Sequence, residues 1–109
     1  MTGSAEQAEK ANVRILGIAR QDLQSAARYY EEESTGLGFD FLDEFESTMA
    51  RVLQSPNAWQ MISARHRRCL LRRFPYGVIY ALHEAEIIVV GVMDLRRAPT
   101  RISERFHLP

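Results

Sequence analysis

An α+β domain is the architecture this sequence predicts: an N-terminal strand, a two-helix hairpin, then an antiparallel three-strand meander, with the helices packed on one face of the sheet. Three observations carry that expectation. Hydrophobic spacing changes from a dense β-type run to helical steps soon after Ala19. Two helical stripes then follow one another across the short break Ser34-Thr35-Gly36. Beyond Pro56, three runs rich in β-branched residues lie close together.

Residues 1–11 read as a polar, flexible leader without chemistry, and residues 12–109 as a single domain. Asn12 to Ala19 (NVRILGIA) is dense enough in Val and Ile to predict the first strand. Leu23, Ala26, Ala27 and Tyr30 recur at steps of three and four, which predicts an amphipathic helix over 21–33 with Gln24, Arg28 and Glu31 toward water. Leu37, Phe41, Phe45, Met49 and Val52 form a second stripe, stopped by Pro56. Asp40, Asp43, Glu44 and Glu46 crowd the early part of that helix, as expected of a solvated face matched to the positive end of the helix dipole. Trp59 is placed to seal the open end of the core. Strands are predicted over 65–73, 76–83 and 87–94, the last two joined as a hairpin through His83-Glu84-Ala85-Glu86. The run IIVVGVM, apolar on both faces, suits a central strand.

Charge is distributed unevenly along the chain. Residues 1–60 carry five basic and ten acidic groups, and residues 61–109 carry nine basic and four acidic, so a net charge of zero hides halves of minus five and plus five. Thirteen of the fourteen basic residues are arginine, whose planar fork pairs bidentately with carboxylate or phosphate. The near-neutral total argues against a free nucleic-acid binder. No apolar run approaches the ~20 residues that span a bilayer, and MTGSAEQAEK lacks the apolar block of a secretory signal. The single Cys69 excludes an internal disulfide, fits a reducing cytoplasm and reads as a small buried hydrophobe.

Several chemistries find no support. His66, His83 and His107 have no Cys or carboxylate at metal-ligand spacing, so no metal is expected. The six glycines form neither GxGxxG nor GxxxxGK, and no serine lies in a strained-elbow motif. Gly36 and Gly38 suit a turn that opens the second helix. What remains is an arginine edge and the tyrosines beside it.

TGLGFDFLDEFE at the second helix, RRFPYGVIYAL at the third strand and VVGVMDLRRAPTRISER at the end, taken in that order, resemble the ParE/RelE superfamily of toxins, also described as plasmid stabilisation proteins. The similarity runs from about residue 12 to residue 106, and it lies in the combination of an FPYxxxY block, a strand and an RRxP turn. The resemblance implies a small cytoplasmic toxin that uses no cofactor. It also implies a labile ParD-like antitoxin that wraps it into a hetero-oligomer and does the DNA binding itself. One branch of the superfamily cuts mRNA on ribosomes; the other inhibits DNA gyrase without cutting RNA.

Cleavage by 2′-hydroxyl attack without metal needs side chains that activate the hydroxyl, protonate the leaving oxygen and stabilise the phosphorane. In the nuclease branch these include a basic residue after the first tyrosine of the third strand, another on the preceding strand, a tyrosine near the C-terminus and a histidine before the arginine pair. Those places hold Gly77, Leu70, Ile102 and Asp94 here. The gyrase branch is therefore the expectation, with no catalytic residue. A nuclease driven by Arg67, Arg72, Arg73 and Arg96 is the alternative, and a degenerate, non-toxic member is a third. The resemblance points to Arg72, Arg73, Tyr80, Arg96 and Arg97 for the target. For an antitoxin lying between the helical hairpin and the sheet it points to Tyr30, Leu37, Phe41, Arg72, Arg73 and Arg97.

Overall fold

A computed structural model describes residues 12–97. The chain runs β1 (Asn12–Ile15), α1 (Gly17–Glu33), α2 (Leu37–Gln54), β2 (Gln60–Met61), β3 (His66–Leu70), β4 (Tyr76–His83) and β5 (Glu86–Asp94). The strands form one sheet in the order β1-β5-β4-β3-β2, antiparallel except that β1 lies parallel to β5. Both helices pack on one face, as the α+β reading required.

The first strand is half as long as its composition suggests. Leu16 gives its N–H to Val89 O as the last bond to the sheet, while its own carbonyl already accepts from Arg20 N and opens α1. The helical stripe therefore reaches back to Ala19, which is fully buried. At the other end, the strand predicted over 65–73 stops at Leu70, because Leu71 to Pro75 turn back upon themselves. Gln60–Met61, read as irregular, adds a short fourth antiparallel strand at the sheet edge.

Helix α2 behaves as its stripe predicts, burying Phe41, Phe45, Met49 and Val52. Its start is capped from outside: the Glu31 carboxylate, expected in water, accepts from the N–H groups of Gly36 and Gly38 at 3.0–3.1 Å. Gly36 turns the chain at φ 90, a conformation that side chains resist. Gly38 lets α2 approach α1, since a Cβ there would sit 2.7 Å from Ala27 O.

The sheet core is built from Cys69, Val78, Tyr80, Ile87, Val89 and Val92 facing the helices. Trp59 packs half-buried at its end and donates from Nε1 to Arg51 O. Strand β5 carries a bulge, with Ile79 opposite Gly91 and Tyr80 opposite Val89, so Val90 has no partner. The extra residue switches which side chains face the helices. Ile79, Val90 and Met93 gather on the other face with Ile88, while Val92 and Asp94 join Val78 and Tyr76 on the helix side. Among the described residues no helix is long and apolar enough to cross a membrane.

Because the nearest neighbour of a new Cβ at Gly38 is backbone, which cannot swing aside, Gly38→Ala should destabilise the domain by about 1–3 kcal/mol even though alanine favours helix. Urea denaturation measures this, and an unchanged or higher midpoint would refute the close-approach argument.

Candidate functional site

The chemistry-bearing residues converge where β3 ends, β4 begins and β5 ends. Leu71 N donates to Tyr76 O and Tyr76 N to Phe74 O, which closes the turn carrying Arg72 and Arg73. Leu95 N donates to Pro75 O at 2.8 Å and so brings Arg96 and Arg97 to the same end of the sheet. The resulting quartet of arginines is exposed.

A buried carboxylate anchors the turn. Glu44, 8% exposed, accepts from Arg72 N at 2.8 Å and lies 4.0 Å from the Arg51 guanidinium. Arg51 in turn donates to Thr48 Oγ1 and Leu70 O and stacks on Trp59. The sequence reading placed Glu44 on a solvated face; the structure corrects this. Position 44 lies three residues from Phe41 and four from Thr48, both fully buried, so its helical phase was the available signal.

Beneath the arginines lies an aromatic cluster. Tyr30 stacks on Phe41 at 5.5 Å and meets Phe74 edge-on at 4.8 Å, and Tyr76 closes on Phe41 at 5.0 Å. Arg73 pairs loosely with Asp40 at 3.6 Å and lies over Phe74. Asp94 faces the cluster from β5 and is bound three times by Arg96: from the backbone N, from Nε and from Nη2, at 2.8–2.9 Å. These hydrogen bonds hold the Asp94 carboxyl below the usual carboxylate range. Burial pushes the Tyr30 and Tyr76 phenols up, with Asp94 adding to the rise and Arg96 opposing it. Both therefore stay protonated near neutral pH.

A cleft of about 440 Å³ opens between α1 and the end of β5, with Tyr29, Tyr76, Asp94, Arg96 and Arg97 in its walls. It exists because β1 stops at Ile15, opposite Val89, whereas β5 continues to Asp94. The Val92 N–H, left without a strand neighbour on that side, donates to Asp22 Oδ2 on α1 at 2.9 Å. A groove with a strand edge on one side and an amphipathic helix on the other suits an extended or helical peptide.

Of the residues singled out from sequence, Tyr30, Arg72, Arg73, Arg96 and Arg97 are assembled here, and Leu37 lies half-buried at the start of α2. Three others are not presented at this surface. Tyr80 is fully buried and donates to Pro56 O at 2.6 Å, its phenol pushed up to about 12 by burial, so it is unavailable to a target. Phe41 is fully buried within the aromatic cluster and presents nothing to an antitoxin. Arg67 pairs in register with Tyr80, away from the quartet, and is spent on Asn57 O and Trp59 O at 3.0 and 2.8 Å. At Gly77 a Cβ would lie 2.9 Å from Arg68 Cγ: the Arg68 stem crosses β4 there. Ile102 lies outside the described residues.

The family model described as the ParE toxin of the type II toxin-antitoxin system, parDE, matches residues 13–99. Among solved structures, a chain from the chromosomal ParDE TA system from P. aeruginosa is similar with a TM-score of 0.68 at 14% sequence identity. The match covers 80% of this chain and 98% of that one. At that identity the likeness speaks for the fold alone. No curated protein matches the sequence significantly.

Two variants probe the site. Glu44→Ala orphans the Arg72 N–H and should cost about 2 kcal/mol, whereas Glu44→Gln keeps an acceptor and should cost less; equal losses in urea would disprove the assigned hydrogen bond. Asp94, depressed in the folded state, contributes stability that is full above an ordinary carboxylate value of ~3.9 and lost as pH falls through its lower folded value. Asp94→Asn should therefore lower the urea midpoint at neutral pH, with the deficit shrinking as parent and variant are acidified; a deficit independent of pH contradicts this account.

Proposed function

Since the chain belongs to the ParE toxin family of type II toxin–antitoxin systems, we propose that it is a non-catalytic toxin that binds DNA gyrase in the cytoplasm and is held inactive by a ParD-kind antitoxin. The observation that carries this reading is the state of the four arginines a nuclease would use. Arg96 is closed by Asp94, Arg67 is spent on two loop carbonyls, and Arg73 leans on Asp40. Only Arg72 has its guanidinium unassigned, and the tyrosines nearby are held protonated. Such a set offers no base for a 2′-hydroxyl, but it presents a rigid, positively charged rim to an acidic protein surface.

The antitoxin reading rests on the groove between α1 and β5. An antitoxin segment lying there would cover Tyr29 and Tyr76, and its acids would meet Arg97. The matching family model describes the toxin of a type II toxin-antitoxin system, parDE, which supports a partner of that kind. One feature favours the nuclease alternative: Arg68, reaching across Gly77, supplies a cation close to where a basic residue at position 77 would stand.

The discriminating experiment pairs a gyrase supercoiling assay with an mRNA cleavage assay on ribosomes. Supercoiling should fall with added protein, and Arg72→Glu with Arg73→Glu should weaken inhibition about tenfold or more while the circular dichroism spectrum is retained. Gyrase left untouched alongside cut mRNA, abolished by Arg68→Ala, would overturn the proposal in favour of the nuclease.

A further inference from the structure

A second cleft opens at the far end of β4, lined by residues from both faces of the sheet. Its described lining includes Arg65, His66, Arg67 and His83 around an apolar floor of Met61, Leu82 and Ile88, and it contains no carboxylate. Arg67 donates to neutral carbonyls, so its charge is not cancelled by an acid. The nearest acids are Glu84 in the adjoining turn and Glu86, which is engaged by Arg14 at 3.2 Å. The described lining also lacks any aromatic ring on which a nucleobase could stack, which disfavours single-stranded nucleic acid. Two arginines, Arg65 and Arg67, beside the apolar Met61, Leu82 and Ile88 fit an apolar side chain flanked by acids.

The chain itself carries such a feature. Phe39, 74% exposed, is the most exposed large apolar side chain among those described. It stands on the first turns of α2 with Asp43 and Glu46, both exposed, four and seven residues on and hence on the same helical face. Phe41, two residues further along, packs on Phe74 and Tyr76 at the start of β4, whereas the cleft includes His83 at its end. The seven steps from Tyr76 to His83, roughly 23 Å at ~3.3 Å each, separate the two ends. The knob and the cleft therefore lie at opposite ends of one molecule and cannot meet within it. The zero net charge leaves no overall repulsion between copies.

We propose that the basic cleft receives the Phe39 knob of a second copy of this chain, making a head-to-tail contact in which Asp43 and Glu46 face Arg65 and His83. A heterologous contact of this kind closes into rings or extends into chains rather than stopping at a symmetric dimer. One knob in one cleft buries less than the ~1,200 Å² of a stable interface, so association is weak and rises with concentration.

Sedimentation velocity of the purified full chain tests this. At low salt the average mass should climb above 12.5 kDa with concentration and fall back in high salt. Phe39→Ala should remain at 12.5 kDa under the same conditions. Reversing the cleft (Arg65→Glu with His83→Glu) or the knob (Asp43→Lys with Glu46→Lys) should each abolish association. Mixing the two reversed proteins should restore it, because each then carries what the other lacks. All four sites are exposed, so folding is checked by the far-ultraviolet spectrum of each variant. A mass of 12.5 kDa at every concentration, association indifferent to Phe39→Ala, or a mixture that fails to associate would each overturn the proposal. So would a single-stranded oligonucleotide that binds the parent and loses binding on Arg65→Glu with His83→Glu.

Discussion

Strand β5 must change faces part-way along, and the arginine end of the molecule depends on that change. Up to Val89 its odd-numbered residues face the helices; strict alternation would then have turned Gly91 and Met93 inward and Val92 and Asp94 outward. Leaving Val90 unpaired inverts the pattern. Val92 fills the core, Met93 goes to the opposite face, and Asp94 stands opposite Tyr76 with its carboxylate toward the aromatic cluster. Only from there can Asp94 gather the backbone and side chain of Arg96 while Leu95 ties the turn to Pro75. A one-residue irregularity thus converts a central strand into the support of a polar site.

The other support comes from the helix layer. Glu44 reaches from α2 to the backbone of Arg72, so the turn bearing Arg72 and Arg73 is fixed by a buried acceptor rather than by its own sequence. Burying a carboxylate is tolerable because a backbone donor and the Arg51 guanidinium are both at hand. The two supports act differently on charge. Glu44 binds the main chain and leaves the Arg72 guanidinium outward, whereas Asp94 binds a guanidinium directly and takes it out of service. The arginine rim is accordingly less uniform than its composition suggests, being strongest at Arg72 and Arg97 and muted at Arg96.

How far the sequence could be read follows the same physics. Periodicity located both helices and the hairpin of β4 with β5, because Phe41, Phe45, Met49 and Val52 on one side and the IIVV run on the other report burial directly. It overran β1, since Ile18 and Ala19 look alike in either conformation and only the bond from Leu16 to Val89 decides where the sheet ends. Parallel pairing of the first strand with the last is long-range and leaves no local trace. At the site, arginine spacing foretold the exposed quartet, while the FPYxxxY pattern misled: it marks Tyr76 and Tyr80 equally, yet one lines the cleft and the other is sealed in the core. Hydroxyl burial depends on what lies above each ring, here Pro56 for Tyr80, and a strand pattern does not encode it.

Gly77 brings the charge argument to its sharpest point. A glycine inside a strand, here the second residue of β4, forgoes packing, and the lost volume is taken up by the Arg68 stem from the neighbouring strand. The exchange does more than fill space. An arginine rooted at 77 would stand on its own strand with its guanidinium free to swing. One rooted at 68 arrives sideways, has its Nη2 drawn to Gln60 on β2, and leaves its Nε buried without an acceptor. Phosphoryl transfer needs donors aimed beforehand at the position where negative charge will develop. A guanidinium held toward the sheet edge by a neutral amide is oriented for its own strand neighbours instead. The nearby cation therefore weighs little as catalytic machinery, which accords with the proposed role of this surface in recognising another protein by charge and shape.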